Sequence, residues 1–118
     1  MNIEIPGLNV KQGLDLYDGD EELYLIILRS YVDNTPEVLD QIRSVSAETL
    51  NNYASAVHGI KGTSANVGAE EIMQTAQKLE IMAKAGDLNG IMAENESFLK
   101  RADILIVDIR NWLEQNGL

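Results

Sequence analysis

The only histidine of the chain, His58, stands one helical turn before a lysine and a glycine, Lys61 and Gly62. An imidazole nitrogen is nucleophilic near neutral pH and can carry a transferred group covalently. An ammonium three residues further along a helix lies close enough to share an anion with it, through charge and hydrogen bonding. Gly62, at i+4 from His58, contributes no side chain to the same face. A glycine within a helix costs roughly 0.5–1 kcal/mol relative to alanine, and Gly59 adds a second in the same turn. An open approach to His58 for another protein's backbone would offset that cost. Close helix–helix packing is the competing explanation, above all for Gly59, which borders the apolar stripe. The charge pattern favours the open site. From Thr49 to Ala69 there is no Asp or Glu, and Lys61 is the only formal charge, in a chain whose net charge is -10. The expected surface around His58 is therefore free of acids, as a dianionic phosphoryl group would require.

The element that carries His58 is a helix. Leu50, Tyr53, Val57, Ile60, Ser64 and Val67 follow 3-4-3-4-3 spacing, one face of an amphipathic helix capped by Ser46 and ended by Gly68. At 100° per residue, His58 points about 130° away from the centre of that face, toward solvent. Asn51, Ser55, Gly62 and Ala65 lie on its side, all of small or modest size. The rest of the chain repeats the helical period, and no convincing run alternates with period two. Residues 1–7 read as an irregular lead-in, followed by a short helix near Asn9 to Tyr17. A second helix starts at the Asp20 cap and runs to about Arg43. Its stripe is Leu25, Leu28, Val32, Leu39 and Ile42, widened by Leu23, Ile27, Tyr31 and Val38, and Pro36 should kink or split it. The fourth helix uses Ile72, Ala76, Leu79 and Ala83 and ends at Gly86. The last begins near Asp87 with Leu88, Ile91, Asn95, Phe98, Ala102, Leu105, Ile109 and Trp112, flanked by Met92, Leu99, Ile106 and Leu113. Four substantial helices with short loops and one apolar stripe each predict an all-α protein. Its expected architecture is an antiparallel four-helix bundle with a short additional N-terminal helix, one domain over residues 1–118.

Composition narrows the chemistry. The acidic balance argues against nucleic acid, whose phosphates demand clustered Lys and Arg, and against anionic membrane surfaces. The chain has no cysteine, hence no disulfide framework or thiol chemistry, and one histidine cannot build a multi-histidine metal site. No apolar run approaches the roughly 20 residues of a membrane span. The first residues lack a basic region followed by an apolar stretch, so a cytoplasmic location is expected. No phosphate-binding loop or dinucleotide-binding glycine pattern is present.

The run Ala56-Val57-His58-Gly59-Ile60-Lys61-Gly62-Thr63-Ser64-Ala65-Asn66-Val67-Gly68-Ala69 resembles the signature of histidine phosphotransfer (HPt) domains. That signature is His, any two residues, Lys-Gly, then a small-residue run ending in Gly-Ala. Gly19-Asp20-Glu21-Glu22-Leu23, leading into a helix with a Thr35-Pro36-Glu37 step, is similar to the family's second helix. Leu79-Glu80 followed by Ala85-Gly86-Asp87 is similar to the helix and turn after the motif. The likeness extends over nearly the whole chain. It implies that His58 accepts a phosphoryl group, that Lys61 helps hold it, and that Gly62 keeps the approach open. Ser64 matches a small polar position whose side-chain hydrogen bond stabilises the helix, and Gly68 ends the helix. Gly59 departs from the pattern, where a larger residue is usual. The resemblance further implies a phosphocarrier rather than an independent turnover enzyme. Its partners would be the receiver domains of a hybrid sensor histidine kinase and of a response regulator, with magnesium in the receiver and no cofactor or metal in this chain.

The docking surface is expected around His58, from Asn51, Ala54, Ser55, Gly62, Ala65 and Asn66, with a contribution from the N-terminal half of the second helix. A monomer is expected, because one bundle closes its own core. Other readings are a helical docking module that binds a receiver or kinase without carrying phosphate, and a structural bundle in which His58 is incidental. A hydrolase is poorly supported, since no nucleophile-elbow pattern occurs. The many carboxylates fall mostly at helix starts and on polar faces, where solvation is their expected role.

Overall fold

The computed structural model describes residues 2–118, and Met1 lies outside the described residues. The lead-in from Asn2 is irregular, as expected, but it is not peripheral: Ile3 and Ile5 are buried in the core. Helix α1 spans Val10–Asp15, shorter than the sequence suggests because residues 16–19 turn. Helix α2 spans Glu21–Asp40, α3 Leu50–Ala65, α4 Glu70–Lys84 and α5 Leu88–Gln115. No strand occurs among the described residues. The caps follow from side chains. Asp20 Oδ1 accepts the Leu23 amide at 3.1 Å with Glu21 and Glu22 in the first turn, and Asp87 Oδ1 accepts the Gly90 amide at 2.9 Å. Ser46 caps a 3₁₀ turn, Ala47–Thr49, that leads into α3, so α3 starts four residues after the expected cap.

Cross-helix pairs fix the antiparallel order. Tyr24 and Tyr31 of α2 reach Val67 and Ser64 around the end of α3, and Lys78 and Glu71 of α4 pair with Glu94 and Arg101 of α5. The long α5, about 42 Å for its 28 residues, accounts for most of the 46 Å long axis. The chain is thus an all-α antiparallel four-helix bundle with a short additional N-terminal helix. No helix among the described residues is long and apolar enough to cross a membrane.

Pro36 neither splits α2 nor ends it, and the helix continues to Asp40. A proline withholds the amide that would bond the carbonyl four residues back, here that of Val32. That carbonyl instead accepts the Arg110 guanidinium of α5 at 2.7 Å. A charged donor replaces the missing one, and the turn survives. The regular helix ends before the expected Arg43, yet Ile42 remains fully buried beyond it.

The core contains the expected stripes with two corrections. Leu23 and Met92 are exposed, because Tyr24 of α2 takes the inward position and Met92 lies outside the α5 stripe. A polar pair lies within the interior. Asn95 accepts the Tyr53 hydroxyl at 2.7 Å and donates to the Ile42 carbonyl at 2.8 Å, so none of these buried groups is orphaned.

Candidate functional site

Helix α3 buries Tyr53, Ala56, Val57, Ile60 and Ser64. The helical rotation then turns His58 outward, and its side chain is 64% exposed. The surface around it is not free of acids. Glu80, on the neighbouring α4, is buried at 5% exposure, and its Oε2 lies 2.9 Å from His58 Nδ1. Its Oε1 accepts Lys61 Nζ at 2.8 Å, and Oε2 also accepts Lys84 Nζ at 2.9 Å. One carboxylate thus gathers the imidazole and two ammonium groups. The contacts with Lys61 and Lys84, and then His58, hold the Glu80 carboxyl down at about 2 against the opposing effect of its burial.

An ionised carboxylate can only accept hydrogen bonds. His58 Nδ1 must therefore be the donor in this contact, and a neutral ring carries its lone pair on Nε2. The same carboxylate fixes the ring orientation. Lys61, which the sequence places as an anion partner at i+3, is 30% exposed and engaged with Glu80. Glu80 and Lys84 were missed as site residues. Glu80 is 22 residues from His58, and nothing local distinguishes it from the solvated carboxylates. The one available signal is Lys84 at i+4 beside a charge on the border of the apolar stripe.

The two helix glycines are open. A Cβ built on Gly59 or on Gly62 meets nothing within 4 Å. Helix packing therefore does not explain Gly59, and both positions leave bare backbone exposed beside His58. Ser64 is fully buried, and its Oγ pairs with the Tyr31 hydroxyl at 2.8 Å. Its hydrogen bond ties α3 to α2 instead of stabilising its own helix. Burial pushes the Tyr31 hydroxyl up, with the Ser64 bond opposing. Gly68 stands at φ +81°, in the left-handed region, and the Ala69 amide reaches back to the Ser64 carbonyl at 2.9 Å. A side chain at position 68 would also collide with the Asn9 carbonyl.

Of the candidate docking residues, Asn51, Ser55, Gly62 and Asn66 are exposed, and Ala54 and Ala65 are half-buried. Ser55 and Gly59 line a shallow groove with Asn52 and Ala56. The groove's other side is Val38 of α2 and its C-cap residue Gln41, from the C-terminal end of the helix and not its N-terminal half, because α2 runs antiparallel to α3. Among the described residues no cluster of three His, Cys, Asp or Glu side chains is arranged to hold a metal ion.

The family model described as Hpt domain matches residues 26–116, from α2 to the end of α5. No curated protein and no solved structure matches the chain.

Proposed function

The chain belongs to the Hpt domain family, the phosphocarrier modules of two-component phosphorelays, and from that premise we propose that it carries the phosphoryl group on His58 Nε2. The observation that supports this most directly is the His58 Nδ1 contact with ionised Glu80 at 2.9 Å on an exposed ring. It leaves the Nε2 lone pair as the nucleophile, beside the open backbone of Gly59 and Gly62.

On this reading Nε2 attacks the phosphorus of a receiver's aspartyl phosphate. The new N–P bond forms as the P–O bond to the aspartate breaks, and the carboxylate leaves with its electron pair. The Nδ1 proton stays on the ring, so the product is a phosphoimidazolium whose positive charge faces Glu80. Lys61 balances charge on the transferred oxygens. The cationic ring remains a good leaving group, and the reverse step delivers phosphoryl to a second receiver. The direction proposed is from a hybrid sensor kinase to a response regulator. Magnesium belongs to the receiver's carboxylates in this scheme, and this chain supplies the imidazole, its orientation and the Lys61 ammonium. It acts as a cytoplasmic monomer with no cofactor of its own.

A panel of phosphorylated receiver domains, offered to the wild type and to His58→Gln, tests the proposal. Label should pass to the wild type in an acid-labile, base-stable form and not to the variant, which keeps its helical spectrum because His58 is exposed. A folded wild type that takes no label from any receiver, while still binding one, would instead make the chain a docking module.

A further inference from the structure

Lys84 lies outside the His-x-x-Lys-Gly motif, on a different helix from His58. Its Nζ is 2.9 Å from Glu80 Oε2, the oxygen that also takes His58 Nδ1 at 2.9 Å. Lys61 approaches Oε1 from α3, so the imidazole is flanked by one ammonium from each helix of the α3–α4 hairpin. Among the described residues, no other charged side chain is recorded in contact with this cluster. The charge count is informative. One carboxylate and two ammonium groups leave one surplus positive charge while the ring is neutral. Phosphorylation adds a dianion and makes the ring cationic, so the surplus falls to zero, and the phosphoryl oxygens would compete with Glu80 for the nearest cation.

The two lysines are not equally free to respond. Lys61 is 30% exposed, whereas Lys84 is 67% exposed, and its recorded ion pair is with Glu80 alone. If Lys84 turned away, Glu80 would keep Lys61 on Oε1 and the ring N–H on Oε2, so its burial would stay compensated. We infer that Lys84 is a second phosphoryl-binding cation, which exchanges its contact with Glu80 for the phosphoryl oxygens once His58 is phosphorylated. The inference rests on the phosphocarrier reading. The competing account is an ordinary i,i+4 Glu–Lys pair on a helix surface, which adds a little helix stability and touches nothing else.

The experiment measures how phosphoryl divides at equilibrium between a receiver that labels the wild type and this chain, as wild type, Lys84→Gln or Lys84→Arg. At concentrations where little complex persists, this division depends on the stability of the two phosphorylated proteins and not on their docking. It is also indifferent to a small loss of folding stability. Lys84→Gln should shift the division toward the receiver by about fivefold, the scale of one exposed ion pair, and Lys84→Arg should restore it. An unchanged division in Lys84→Gln overturns the role of Lys84 and leaves the phosphocarrier intact. If no receiver labels even the wild type, the phosphocarrier reading falls, and this inference falls with it.

Discussion

Glu80 is a charged side chain at 5% exposure, a position that carboxylates occupy only when paired. Three donors at 2.8–2.9 Å supply the pairing. Its carboxyl is depressed from the ordinary 4.5 to about 2, so the folded state binds its proton more weakly than the unfolded chain does. Its contribution to stability is therefore complete above about pH 4.5 and is lost as the pH falls toward 2. Glu80→Gln should be less stable than wild type at pH 7, and the difference should shrink between about pH 4.5 and 2. Urea midpoints at pH 7, 4 and 3 measure this, and a pH-independent gap would show that the charge of Glu80 is not what stabilises the fold. His58, Lys61 and Gly62 were legible in the sequence because one helical turn brings them together. Glu80 was not, because it reaches the site only through the packing of α4 on α3. An acid-free stretch of sequence does not make an acid-free surface when the neighbouring helix contributes the acid.

Elements tell a similar story about local and distant partners. Helix stripes, caps and stops were readable from periodicity and from Asp20, Asp87, Gly68 and Gly86, since each acts within its own few residues. Pro36 was read as a kink or a split, and the split does not occur, since its consequence depends on a residue of α5. The Val32 carbonyl is fully buried with its residue, and Arg110 is the donor that replaces the absent amide at 2.7 Å. Arg110→Met should strand that carbonyl and cost about 1–3 kcal/mol, the penalty of a buried acceptor left unmade. Pro36→Ala returns an amide able to bond Val32, so the same arginine substitution should cost little in that background. A double-mutant cycle on unfolding free energies tests the coupling, and strictly additive losses would mean that Arg110 contributes only through its packing.

The whole molecule extends beyond the stretch that the family match covers, residues 26–116. The segment before it closes one end of the bundle. Ile3 and Ile5 enter the core, and the Asn9 amide donates to the Gly68 carbonyl at 2.8 Å. The Tyr17 and Tyr24 hydroxyls donate to the Asn66 and Val67 carbonyls at 2.9 and 2.8 Å. Three successive carbonyls after α3 are thus satisfied by the N-terminal region, which closes over the α3–α4 turn. The lead-in was legible as irregular but not as core, because two isoleucines separated by one residue give too short a pattern to show what they pack against. Ile5→Ala should cost about 2–5 kcal/mol, the usual range for removing a buried isoleucine side chain. It should lower the urea midpoint with little change in the slope, and phosphoryl transfer per folded molecule should stay at the wild-type level because the His58–Glu80 contact is not touched. An unchanged midpoint would mean that the N-terminal segment is not seated on the bundle in solution. A lower midpoint accompanied by loss of transfer in the folded protein would mean that the clasp positions the site as well as stabilising the fold.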